Sequence, residues 1–303
     1  MTQTIEAPTA DASAADRQAA RKVPTRRISF DESLNDLPKH FANDGDLIMS
    51  HVVATLSSVF PDGEDYFVRS VRYFRDEITD PELKRQMAGF IGQEAIHGRE
   101  HRALNDHLDQ LGYPTKRMER LTKWGLEKRE KLMSPKNNLA ATAALEHYTA
   151  TLAEVVLRNP DARNLFGNPA VTNMLLWHAL EESEHKAVAF DVYKAVGGTE
   201  RTRVVTMNLI TIGFIGGMTL QSIISLLADR ETYKGSNLKD SIKRLRTSPF
   251  LKKEVWRTLR DYNRPDFHPD DFDATELIAY WRDELFGDEG TLNDLLTKTA
   301  TAA

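Results

Sequence analysis

The chain has 303 residues, a formal net charge of −5 and no cysteine. It is long enough to bury a large core in one domain, or in a domain with an appendage. The lack of cysteine excludes disulfides, thiolate metal sites and cysteine nucleophiles and fits a cytoplasmic setting, and the mild acidity provides no basic field for nucleic acid.

Residues 1–27 are rich in Ala, Thr and charge and lack the apolar run of a signal peptide. They read as a disordered tail, made locally basic by Arg17, Arg21, Lys22, Arg26 and Arg27. Weak contact with acidic lipid headgroups is the alternative to a solvated tail. Helical spacing follows from Leu47 to Phe60, where Pro61-Asp62-Gly63 intervenes. Proline suits a helix start better than its interior, so a second segment is expected from Pro61 to about Thr79, with Glu64 in its first turn. A single kinked helix is the alternative.

Asp80-Pro81 is a strong helix start, and the helix it opens runs to Leu111 before Gly112-Tyr113-Pro114. That helix carries Glu94, His97 and His101. A shorter helix fits Lys116 to Leu132, and another fits Asn138 to Arg158 and carries Glu146. The last of this group runs from Pro169 to Val196, carries His178, Glu182 and His185, and ends at Gly197-Gly198. The order is Glu, Glu-x-x-His, Glu, Glu-x-x-His, which makes a loose internal repeat. Helices of about 28 residues cover about 42 Å, enough for two hairpins to bring mid-helix side chains to one level.

Residues three apart on a helix share a face. Glu94 with His97, and Glu182 with His185, can therefore each reach a metal, with Glu64 and Glu146 completing or bridging the pair. Glu146 lies in the uncharged run Leu139 to Leu145, and a carboxylate there is costly to bury unless paired or metal-bound. His101 and His178 lie one turn from these residues on the same stripe, as extra ligands, as groups that orient the carboxylates, or as packed core histidines. Glu181 competes with Glu182, and the matching three-residue spacing favours Glu182. A rival motif overlaps the first pair. His97-Gly98-Arg99-Glu100-His101 spells the inverted zinc-protease pattern, with Glu100 as base and Glu146 or Glu182 as third ligand. It leaves Glu64, Glu94 and the second Glu-x-x-His without a role.

Val204 to Leu227 holds 24 residues without a charge. It is long enough to span a bilayer, although Asn208, Gln221 and several Ser and Thr dilute it. A helix buried against the bundle or in a homodimer interface is the favoured reading, and membrane association the alternative. Beyond Asp229 the chain is charged and helical in pattern, with Trp256, Tyr262, Phe267, Tyr280 and Trp281 as packing anchors. His268 reads as a surface residue. The expected organisation is an all-α, ferritin-like four-helix bundle over residues 28–199, a helical extension over 200–296 and a loose tail over 297–303.

Several stretches resemble the bacterial proteins described as predicted metal-dependent hydrolases. They are Phe60 to Phe67, Gln93 to His97 with His101 and Asn105, Glu146-His147, Glu182 to Ala187, and Arg264 to Pro269. The resemblance covers Ile28 to Phe286. The ligand pattern is also similar to that of ferritin-like diiron carboxylate proteins, which place their first Glu in mid-helix rather than after a Pro-Asp-Gly. Carboxylate and imidazole ligands suit iron, with manganese and zinc as alternatives. The leading expectation is a dinuclear-metal, diiron oxidoreductase or oxygenase acting on a small, lipid-like substrate with an external electron donor. The alternatives are a metal-dependent hydrolase and a non-enzymatic iron-binding protein. Tyr66 and Tyr148 are read as packing residues rather than electron carriers.

Overall fold

The computed structural model describes residues 21–297. Among these, regular structure is helical apart from one antiparallel bridge between Ile28 and Leu296. The helices are α1 (Leu47–Tyr73), α2 (Pro81–Gln110), α3 (Thr115–Leu132), α4 (Pro135–Arg158), the single-turn α5 (Pro160–Asn164) and α6 (Pro169–His185). They continue with α7 (Val188–Ala195), α8 (Glu200–Ala228), α9 (Gly235–Arg246), α10 (Lys253–Asp261) and α11 (Thr275–Phe286). α1 packs on α2 and α4 on α6, and the two pairs form the bundle. The chain is an all-α protein built on a helical bundle.

Local sequence sets the helix starts. Asp80, Ser134, Asn159 and Asn168 each accept a backbone N–H in the first turn, and each is followed by proline. The cap supplies the acceptor and the proline ring presets the helical φ without wasting a donor.

Three expectations change. First, Pro61 lies inside α1, so the expected break does not occur and Glu64 sits in mid-helix. Proline gives no N–H to the carbonyl four residues back, that of Ser57. Asn105 Nδ2 takes this carbonyl over, donating to Ser57 O at 3.1 Å. Second, the helix from Pro169 does not run unbroken to Val196 but turns at Lys186-Ala187. Lys186 there directs its ammonium to Phe272 O and Glu154, anchoring the extension to the bundle. Third, residues 21–27 lie across the bundle instead of forming part of a free tail. Arg21 pairs with Asp191 and Asp270, and Arg26 with Glu181 and Glu184. Arg17 lies outside the described residues. At the other end, Thr297 N donates to Arg27 O at 2.8 Å.

Two apolar clusters fill the bundle. One holds Val53, Leu104, Ala153 and Leu180. The other holds Phe67, Phe90, Ala144 and Val188. On every bundle helix the expected ligands fall between the two, so a polar layer divides the core.

α8 is long and apolar enough to cross a membrane by length and composition, and only 11% of its most apolar stretch is buried. Its buried residues are Arg203, Thr206 and Met207 near one end and Ser222 and Ser225 near the other. Leu209, Ile212, Leu220 and Leu227 are exposed. The expectation of a helix buried against the bundle therefore holds along one side only, where α8 meets α1 and α4.

Candidate metal centre

The polar layer gathers Glu64 from α1, Glu94 and His97 from α2, Glu146 from α4, and His178, Glu182 and His185 from α6, all buried. His185 Nε2 lies 3.0 Å from Glu94 Oε1, 3.3 Å from Glu146 Oε2 and 3.6 Å from Glu182 Oε1. His178 Nε2 lies 2.9 Å from Glu182 Oε1 and 3.8 Å from Glu64 Oε1, and His97 Nδ1 lies 3.7 Å from Glu182 Oε1. Ligand atoms of Glu94, Glu182 and His185 lie within 4.8 Å of one another, as do those of His97, His178 and Glu182, and those of Glu64, Glu94 and His97. Glu94 and Glu182 each belong to two of these groups, as bridging carboxylates would. Glu146 reaches the layer through its approach to His185. Gly98 gives Glu64 room, since a Cβ there would stand 3.3 Å from Glu64 Oε2.

These atoms lack protein partners. Both carboxylate oxygens of Glu64, Glu94 and Glu146, together with Glu182 Oε2, His97 Nδ1 and His185 Nε2, are buried without a hydrogen bond. Close approaches such as that of His185 to Glu94 are not aligned as hydrogen bonds. So many orphaned acceptors in one place are costly unless a cation fills the space. The electrostatics agree. Burial first, and then Glu94, Glu182 and Glu146, hold Glu64 well above the usual carboxylate range. Burial and Glu146 push Glu94 up to about 8, and burial and Glu182 push Glu146 up to about 7. Burial opposes the charge on Glu182 too, but His185 and His178 outweigh it and hold that carboxyl well below its ordinary value. Burial likewise opposes a charged His185, and Glu182 and Glu146 outweigh it and raise the imidazole.

The surrounding groups fix which nitrogen of each ring faces inward. Gln93 Oε1 can only accept, so His185 Nδ1–H donates to it at 2.9 Å and Nε2 points into the layer. Gln93 is held by its own amide, which donates to Pro24 O and Glu184 Oε2. His97 Nε2 lies 3.0 Å from Glu181 Oε2, which Arg26 holds from the far side, and Nδ1 faces the layer. A carboxylate bonded behind a histidine ring fixes its tautomer and is the pattern found behind metal-binding histidines.

A third chain orients His178. Asn105 Nδ2 donates to Ser57 O and Glu119 Oε1, so Asn105 Oδ1 is the acceptor for Ser57 Oγ–H at 2.7 Å. With its one hydrogen committed, Ser57 can only accept from His101 Nδ1–H at 2.9 Å. His101 Nε2 then accepts from His178 Nδ1–H at 2.7 Å. Burial, and then His178, hold His101 well below its ordinary value, consistent with one donor and one acceptor nitrogen. The His178 ring turns Nε2 toward the carboxylates of Glu182 and Glu64, in hydrogen-bond contact with Glu182 Oε1 at 2.9 Å. Of the two histidines that the sequence leaves equivalent, His178 turns a nitrogen toward Glu182 and Glu64, while both nitrogens of His101 are bonded to Ser57 and His178.

The rival motif is not assembled. Glu100 accepts from Phe30 N at 2.7 Å and from Arg99, so it is committed to the N-terminal segment. His147 faces Thr258 O at 2.9 Å. His268 pairs with Asp191 at 2.8 Å and supports α7 rather than standing free at the surface. Tyr66 OH donates to Asn138, and Tyr148 OH to Thr211. Sequence reasoning missed Gln93, Glu184, Arg26 and Arg282 as supports of the layer, the last through its bonds to Glu184 Oε1. Their partners lie tens to more than a hundred residues away, and no local signal marks them.

Neither a curated protein nor a solved structure matches the chain. A family model matches residues 24–273, most of the chain and every residue of the layer. The chain belongs to the family described as predicted metal-dependent hydrolases.

Proposed function

We propose that the protein is a metal-dependent enzyme with a dinuclear centre, and that its leading reaction is hydrolysis. The observation that carries this reading is the layer of buried carboxylate and imidazole atoms without hydrogen-bond partners. Glu64, Glu94, Glu146 and Glu182 would hold the metals together with His97 Nδ1, His178 Nε2 and His185 Nε2. Four carboxylates balance the charge of two divalent ions. Bound there, such a pair supplies Lewis acidity and acidifies a bound water. The protein's own part is orientation and exclusion of solvent. Gln93 fixes His185, Glu181 with Arg26 fixes His97, and the Asn105–Ser57–His101 chain fixes His178, while the flanking apolar clusters keep bulk water out. The family description supports hydrolysis.

Oxygen-dependent oxidation at two irons is the second reading. The observation that favours it is the twofold Glu and Glu-x-x-His ligand set, all oxygen and nitrogen, contributed by four bundle helices. Zinc, manganese and anaerobic ferrous iron, each loaded and counted per chain, test the proposal. About two metals per chain with ester or amide hydrolysis, and no absorbance change when the ferrous form meets oxygen, is the expected result. New visible bands on oxygen addition would transfer the assignment to the oxidase reading. No tight metal in any of the three would overturn both.

A further inference from the structure

We infer that the protein takes an extended aliphatic chain between α8 and helices α1 and α4, with the polar, reacting end of that molecule at His178 and Glu182. The reacting end rests on the metal-centre reading above. The chain site rests on the cavity alone.

A cavity of about 570 Å³ opens there, within the ~300–1,000 Å³ of small-molecule sites. His101, His178 and Glu182 close its inner end. Phe60 packs on both imidazoles, 4.5 Å from the His101 ring centre and 4.7 Å from that of His178. The walls include Val52 and Leu56 of α1, Leu152 of α4, Phe214 and Met218 of α8, and Phe250. A second lobe of 440 Å³ reaches Glu64 and shares Phe60, Tyr148, Phe214 and Met218 with the first. On α8, Gly213 and Gly217 line this lobe, and a Cβ at either would meet nothing within 4 Å. The middle of α8 therefore stands off the bundle over both lobes, while its ends are anchored. Asp229 at its end meets Lys39, His40 and His51, and Arg203 meets Glu200 and the Tyr262 carbonyl.

The chemistry of the wall selects the ligand. No Lys or Arg lines either lobe, and Glu182 and Glu64 are their charged residues. Ser57 and Thr149 are turned into bonds with Asn105 and Glu146 O. A sugar or a phosphate would lose its hydration here without recovering it. A hydrocarbon chain loses nothing polar, and although Thr219, Ser222 and Gln221 also line the lobes, the only charged groups its polar end can meet are Glu182 and Glu64.

The test uses the whole protein, metal-free and metal-loaded, with octan-1-ol and dodecan-1-ol displacing a fluorescent apolar probe. The longer alcohol is expected to bind about tenfold tighter or more. Ser222→Phe and Leu152→Trp, which fill the cavity away from the metal layer, should weaken dodecan-1-ol by about tenfold or more at unchanged metal content and helicity. Ile212→Ser and Leu220→Ser, on the exposed face of α8, should leave its affinity alone. Equal affinity for the two alcohols, or wild-type affinity in both filled variants, overturns the inference and leaves the metal centre standing. Chain-length dependence in a protein that takes up no metal upholds the chain site and overturns the metal-centre reading.

Discussion

Filling the layer with divalent metal should expel protons, and the number follows from the environment of each ligand. Burial and three neighbouring carboxylates raise Glu64 well above the usual carboxylate range, which favours its protonated form in the metal-free protein. Near neutral pH Glu94, at about 8, is mostly protonated. Glu146, at about 7, is protonated about half the time. Glu182 and Glu146 raise His185 against its burial, which favours its charged form. Glu182, held low by His185 and His178, has none to give. Metal ligands must be bare, so about one proton leaves per filled centre from Glu94 and Glu146 together, and the raised Glu64 and His185 add to it. Affinity should then climb with pH, with a logarithmic slope of about one or more near neutrality. Calorimetric metal titrations in buffers of different protonation enthalpy count the protons directly. Glu94→Gln should release about one fewer and bind more weakly. Stoichiometric uptake with no proton release would refute the reasoning, because the metal would then be bound elsewhere or the layer already ionised.

The same values fix the sign of the stability dependence. A Glu raised above its ordinary 4.5 stabilises the fold fully below that value, and the contribution is lost as pH climbs through about 7 for Glu146 and about 8 for Glu94. Metal-free protein should melt at lower temperature as pH passes through this window, and added metal should reverse the loss.

Other substitutions separate the roles assigned to individual residues. Glu100→Ala leaves the buried Phe30 N–H unpaired and should cost about 1–3 kcal/mol in denaturant unfolding, with metal content unchanged; loss of metal would restore the inverted zinc motif. Asn105→Ala orphans the Ser57 carbonyl and releases the chain that orients His178, so metal affinity should fall about 10–100-fold; retained affinity would detach that chain from the site. Gly89→Ala places a Cβ 2.2 Å from Val23 O, so trypsin should cut faster within residues 21–27. Gly125→Ala, in α3, meets nothing within 4 Å and should instead stabilise by up to about 1 kcal/mol.

What the sequence discloses and what it hides divide by range of interaction. Helix starts are legible because a cap and its proline act within one turn, as at Asp80-Pro81 and Asn168-Pro169. The two Glu-x-x-His pairs are legible for the same reason, since three residues on a helix share a face. Pro61 misleads because the rule for proline assumes that the freed carbonyl stays unpaired, whereas Asn105, on another helix, pairs it. Glu64 looked like a helix-start residue only through that assumption. Arg26 reads as tail because its neighbours are small and charged, and its partners Glu181 and Glu184 lie 155 and 158 positions away.

The two equivalent histidines give the sharpest case. Spacing puts His101 and His178 on the same stripe and cannot rank them. Ranking them takes the single hydrogen of Ser57, whose direction is set by an amide that in turn has two acceptors to satisfy. α8 is ambiguous for a related reason. Hydropathy counts apolar residues without saying what each one faces. The structure shows that Phe214 and Met218 face the cavities beside the carboxylate and imidazole layer, while Ile212 and Leu220 face outward. One uncharged stretch thus carries two distinct surfaces, and only the inner one bears on what the centre can bind.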